Sequence, residues 1–71
     1  MQQFAIIGLG KFGYYLSLHL YQKGYEVLAA DINETKVQDI KDTVSQAIVV
    51  DATDRKALES LELKPMDAVV V

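Results

Sequence analysis

The chain has 71 residues, 51% hydrophobic and 24% charged, which is the make-up of one small globular unit and not of a disordered segment. A net charge of −3 and the absence of cysteine exclude a disulfide framework, a thiolate zinc site and thiol catalysis, and speak against the basic surface of a nucleic-acid binder. No apolar run approaches the roughly 20 residues that cross a bilayer. Met1-Gln2-Gln3 also lacks the basic start and cleavage site of a secretory leader, so the expectation is a soluble protein on the cytoplasmic side.

Phe4-Ala5-Ile6-Ile7, preceded by Gln3, is a short β-prone run that ends at Gly8 and predicts a buried parallel strand. From Tyr14 to Lys23, Leu16 and Leu20 stand four apart with Phe12 one turn earlier, which predicts a helix with that face inward. Lys23 and Gly24 then supply a last-turn cation and a C-terminal stop. Residues 26–30 predict a second buried strand ending on Asp31. Asn33 is placed to cap a helix over 34–41, with Val37 and Ile40 inward. Residues 47–50 predict a third strand ending on Asp51, and Thr53 or Asp54 caps a third helix over 55–61 with Leu58 and Leu61 inward. Leu63-Lys64-Pro65 predicts a turn, because proline biases its predecessor away from helical geometry, and 67–71 reads as a fourth strand.

Strands alternating with helices over short links predict an α/β fold, a Rossmann-like parallel sheet of βαβαβαβ pattern with strand order 3-2-1-4. The sequence stops inside an apolar strand, so residues 1–71 are expected to be the N-terminal part, roughly half, of a doubly wound domain, truncated after its fourth strand. Such an edge is expected either to continue in a larger parent chain or to pair with another copy.

The motif with most chemical content is Gly8-Leu9-Gly10-Lys11-Phe12-Gly13. By itself a GxGxxG is a weak signal. Here it follows a strand, opens a helix, and has Asp31 at the end of the next strand, about 20 residues on, as a dinucleotide-binding fingerprint does. Gly8 would make the tight turn, Gly10 would let a pyrophosphate approach the backbone, and Gly13 would let helix and strand pack closely. The helix start offers N–H groups and a positive dipole end to phosphates. The plainer alternative is that the glycines only permit a tight turn. Asp31 is placed to accept hydrogen bonds from a ribose diol and is a poor neighbour for a 2′-phosphate, which disfavours NADP; otherwise it is a turn or cap aspartate. Lys36, close behind Asn33, either approaches a phosphate or sugar edge or is a solvated lysine. Asp51-Ala52-Thr53-Asp54 follows the third strand, where the carboxyl ends of strands border the ligand crevice; the alternative is that it only caps a helix. Lys11 either pairs with a phosphate or points to solvent, and Phe12 is expected to pack at the helix start. His19 has no second histidine or cysteine to complete a metal or catalytic set and reads as a core-edge or interface residue. Tyr14, Tyr15, Tyr21 and Tyr25 cover apolar surface around the first helix or mark an interface. The serines lack a G-x-S-x-G setting, and no Walker lysine follows the glycines.

Four stretches, FAIIGLGKFG, GYEVLAADINETKV, VVDATDRKALESL and the closing DAVVV, together resemble the nucleotide-binding N-terminal lobe of the RCK family, also called TrkA-N or KTN. The resemblance covers the whole chain. It implies a ligand-gated regulator of potassium channels or potassium uptake systems, and no catalyst. It further implies NAD(H) or ATP/ADP as ligand, with Gly8, Gly10, Lys11, Phe12 and Gly13 in the phosphate loop and Asp31, followed by Asn33 and Lys36, at the ribose. Asp51, Ala52 and Thr53 would border the adenine. The expected partners are further copies, pairing as dimers that assemble into a ring, and an integral-membrane potassium channel or transporter subunit; nucleic acid is not one. The location implied is cytoplasmic, peripheral at the inner face of the cell membrane. Two departures stand out: Val50 stands where many relatives have glycine, and the family lobe continues well beyond residue 71. The competing reading is the cofactor half of an NAD-dependent oxidoreductase, whose catalytic groups would lie later in a chain; a third is a Rossmann half that binds nothing and serves assembly.

Overall fold

The computed structural model describes residues 2–51, 53–60 and 68–70. Strand β1 (Gln3–Ile7) leads through a glycine loop into helix α1 (Lys11–Gln22). Strand β2 (Glu26–Asp31) is followed by helix α2 (Glu34–Ile40), which tightens into a 3-10 turn over Lys41–Thr43. Strand β3 (Gln46–Val49), helix α3 (Arg55–Ser60) and strand β4 (Ala68–Val70) complete the order. The four strands form one parallel sheet in the order β3-β2-β1-β4, as the alternation of elements predicts. Central β1 pairs with β2 from Gln3↔Glu26 to Ile7↔Ala30, and with β4 from Phe4↔Ala68 to Ile6↔Val70.

The sheet is covered on both faces, and the period-two alternation of side chains divides its core. Ile6, Val27 and Ala29 point to one face, where they join Leu9, Val37, Ile40 and Val44, with Leu16 and Leu20 of α1 packed alongside. Ile7 and Ala30 point to the other, with Val50 and with Ala57 of α3. Helices α1 and α2 thus lie on one face and α3 on the opposite face, which is what makes the fold doubly wound. Strands buried on both sides are continuous apolar runs, and Ala5, Ile6, Val27, Ala29 and Ala30 are almost wholly buried.

The ends of the elements follow from local chemistry. Helix α1 closes in a Schellman motif: the Gly24 N–H donates to the Tyr21 carbonyl (3.0 Å) and the Tyr25 N–H to the Leu20 carbonyl (3.2 Å). Gly24 takes φ +94°, the left-handed conformation that this cap demands. Asn33 caps α2, its Oδ1 accepting the N–H groups of Thr35 (2.9 Å) and Lys36 (3.3 Å). Of the two cap candidates for α3, Asp54 is the one used, accepting from the N–H groups of Lys56 and Ala57.

Several expectations are corrected. Helix α1 begins at Lys11, not at Tyr14, so Gly13 lies inside its first turn. Gly13 and Ser17 are its buried residues, so the inward stripe runs through small residues, while Leu16 and Leu20 are half-buried at its flanks and Phe12 is 73% exposed. The reason is that the helix sits too close to β1 for a large side chain to fit between them. Helix α2 stops at Ile40 and β3 starts at Gln46, one residue earlier than expected. The inward position of Leu61, the turn at Leu63-Lys64-Pro65, the first and last residues of the expected fourth strand and the side chain of Leu58 lie outside the described residues.

Candidate functional site

The carboxyl ends of β1, β2 and β3 meet at one edge of the sheet, and the loops that leave them build the site. Gly8 leaves β1 at φ +102°, a conformation that penalises any side chain, and its N–H donates to the Ala30 carbonyl of β2 (2.8 Å). Gly13 is fixed by packing: a Cβ there would land on the Gly8 carbonyl oxygen. Gly10 is different. Its φ of −67° and ψ of −173° suit any residue, and a Cβ there would meet nothing within 4 Å among the described residues. Among the described residues the fold requires glycine at 8 and 13, while at 10 only its place at the start of α1 favours glycine.

Gly10 is also the N-cap of α1, and it offers no side-chain cap. The first turn carries no acidic residue either. By contrast, α2 begins with Asn33 and Glu34, and α3 with Asp54. The twelve-residue α1 thus presents uncapped N–H groups and its positive dipole end at the mouth of the loop. A hollow of about 320 Å³ opens there, lined by Gly8, Gly10, Lys11, Phe12 and Gly13 with Ile6, Ile7 and Val70. It lies between β1 and β4, where the order of the sheet reverses and where open α/β sheets take their ligands.

On the other side of the loop is a crevice of about 440 Å³, lined by Ile7, Gly8, Asp31, Ile32, Val50, Asp51 and Thr53. Asp31 stands between crevice and loop. Its Oδ2 accepts the Leu9 N–H (2.6 Å) and its Oδ1 the Asn33 N–H (2.7 Å). Burial pushes the Asp31 carboxyl up, but the N–H donors of Asn33 and Leu9, the Lys36 charge and the Ile32 N–H outweigh it and hold the group below the usual carboxylate range. Asp51 is held low by the hydroxyl and N–H of Thr53, both of which donate to its Oδ1 (2.6 and 2.9 Å). Both carboxylates are therefore ionised at neutral pH and act as acceptors. The crevice suits a group that donates hydrogen bonds, such as a sugar diol, and repels a phosphate.

The structure gathers Gly8, Gly10, Lys11, Phe12 and Gly13 at the first hollow and Gly8, Asp31, Asp51 and Thr53 at the second. Asn33 and Lys36 do not line either: the Asn33 oxygen is occupied as a cap, and Lys36 reaches Asp31 as a charge. Ala52 lies outside the described residues. The apolar wall of the crevice was not foreseen. Ile7 and Val50 form buried parts of it, and Ile32, 64% exposed, its lip. An isoleucine left in the open immediately after the strand-end acid was the available signal.

Residues 4–71 match the TrkA-N domain. The chain belongs to the TrkA-N family. It is 41% identical over 70 residues to the Ktr system potassium uptake protein C of Bacillus subtilis and 43% identical over 70 residues to the Ktr system potassium uptake protein A of Vibrio alginolyticus. Each alignment takes in 99% of this chain and 32% of the relative. A Trk system potassium uptake protein TrkA homolog of Pyrococcus abyssi is 33% identical over 64 residues, 89% of this chain and 28% of the relative. This TrkA-N chain thus spans about a third of the length of the relatives it matches, and its glycine loop and strand-end acid fall within the matched region.

Proposed function

We propose that this TrkA-N chain is the nucleotide-binding part of a regulatory protein of a potassium uptake system. The names of its relatives support the setting, and the observation that carries the binding is Gly10. A glycine with open space beside it among the described residues, at the uncapped start of a long helix, is accounted for by a ligand whose phosphates come close to the backbone. In this reading Gly8, Gly10, Lys11, Phe12 and Gly13 cradle a diphosphate and Asp31 takes a ribose diol. Asp51, Ala52 and Thr53 border the base, against the apolar wall of Ile7, Ile32 and Val50. Asn33 holds the helix that carries Lys36, whose charge lies near the ribose side.

The ligand is NAD(H) or ATP/ADP, since both present an adenosine ribose and a diphosphate in this order. NADPH is disfavoured, because its 2′-phosphate would meet the Asp31 carboxylate. The role is regulatory and not catalytic. Copies of the chain associate into dimers and a ring on the cytoplasmic side, peripheral to an integral-membrane potassium channel or transporter subunit; the exposed Tyr15 and Tyr21 of α1 favour such association. For a ligand to regulate the partner it must bind two states of the assembly with different affinity.

Calorimetric titration of the full chain with ATP, ADP, NAD⁺, NADH and NADPH tests the proposal. A preference among the first four with little affinity for NADPH is the expected result. Preference for ATP or ADP means an energy-charge sensor, and preference for NADH over NAD⁺ a redox sensor. Binding of none of the five contradicts the proposal.

A further inference from the structure

We propose that Asp31 is a positioning residue for the phosphate cradle in addition to its contact with the ribose. The inference rests on the nucleotide-binding reading above and deepens it. Its ground is the path of the loop. Leu9, between the first two glycines, is held from below by its side chain, which is 3% exposed among Ile6, Val27, Val37 and Ile40. Its N–H is held from the side by Asp31 Oδ2 at 2.6 Å. The loop has a further tether at Gly8, whose N–H donates to Ala30, the neighbour of Asp31 on β2. Between these fixed points and the start of α1 lies Gly10 alone. The other oxygen of Asp31 accepts the N–H of Asn33, so the same carboxylate ties the loop to the residue that caps α2.

A charge-assisted bond to a backbone N–H is among the stronger hydrogen bonds a loop can have. Without it Leu9 and Gly10 are free to move, and the N–H groups at the head of α1 lose the fixed spacing that an anion needs. The two roles of Asp31 predict opposite signs for a ligand without ribose. If Asp31 only touches the ribose, removing its negative charge strengthens the binding of a bare anion. If it positions the cradle, removing it weakens that binding, although the site has become less negative.

The probe is inorganic pyrophosphate, titrated at millimolar concentration against the full chain and followed by the amide signals of Gly8 to Gly13. The expected order of affinity is wild type above Asp31→Asn, which keeps one acceptor oxygen, above Asp31→Ala, with about a tenfold loss in the alanine variant. Asp39→Asn removes a like charge from an exposed position of α2, away from the loop and the crevice, and should leave pyrophosphate binding unchanged. If Asp31→Ala does not fold, the sign of the change in Asp31→Asn decides. Pyrophosphate binding that rises in either Asp31 variant overturns the inference. So does the absence of any shift at Gly10 to Gly13 in the wild type while ADP or NADH still binds. Failure of the wild type to bind pyrophosphate, ADP and NADH alike overturns the nucleotide reading together with it.

Discussion

The three glycines of the loop do three different jobs, and substitution separates them. At position 13 a methyl group would meet the Gly8 carbonyl, so Gly13→Ala must push α1 off β1, and an overpacked contact of this kind costs about 1–3 kcal/mol. Chemical denaturation of the full chain should show that loss. Gly10→Ala should leave stability within about 1 kcal/mol of wild type, since its backbone conformation is ordinary and its surroundings are open. Asp31 gives a pH signature. Its folded carboxyl is more acidic than in the unfolded chain, so its contribution to stability is present above the ordinary carboxylate range, about pH 4, and is lost as pH falls through the lower folded value. Asp31→Asn should therefore flatten the decline of stability below about pH 4. The sequence made all these residues legible as a fingerprint because glycine and a strand-end acid are rare in such an arrangement. It did not show that Asp31 is already bonded to Leu9, since nothing in spacing fixes the direction of a side chain.

At the level of elements, the strands were readable because buried parallel strands are short uniform apolar runs, and their pairing follows from the order of the crossovers. Helix α1 was harder. Its inward stripe is Gly13 and Ser17, with the Ser17 hydroxyl donating to the Gly13 carbonyl (2.7 Å), and small residues leave no hydrophobic periodicity to count. Leucine spacing pointed instead to residues at the edges of the buried face. For α2 the signals agreed with one another, and its parts can be tested separately. Asn33→Ala removes a cap that satisfies two N–H groups and should cost about 1 kcal/mol. Ile40→Ala empties a wholly buried site and should cost about 2–5 kcal/mol. Equilibrium unfolding of the two variants distinguishes the smaller loss from the larger.

On the scale of the molecule, the doubly wound order places every polar feature of interest at one end of the sheet. Central β1 sends its loop between the crevice beside β2 and the hollow beside β4, so an extended ligand can lie across the glycine loop with its diphosphate at the head of α1. A ligand that binds only the folded form stabilises it by mass action, by about 2.7 kcal/mol at a hundred times its dissociation constant, and the melting temperature of the full chain should rise accordingly with the preferred nucleotide. The central claim, that Gly10 is glycine because a phosphate lies against it, is tested most directly by calorimetric titration of that nucleotide into wild type and Gly10→Ala side by side. Affinity falling about tenfold or more in a variant whose stability stays within about 1 kcal/mol of wild type is the predicted result, because the added methyl group would stand in the space proposed for the diphosphate. Equal affinity in the two proteins would contradict it.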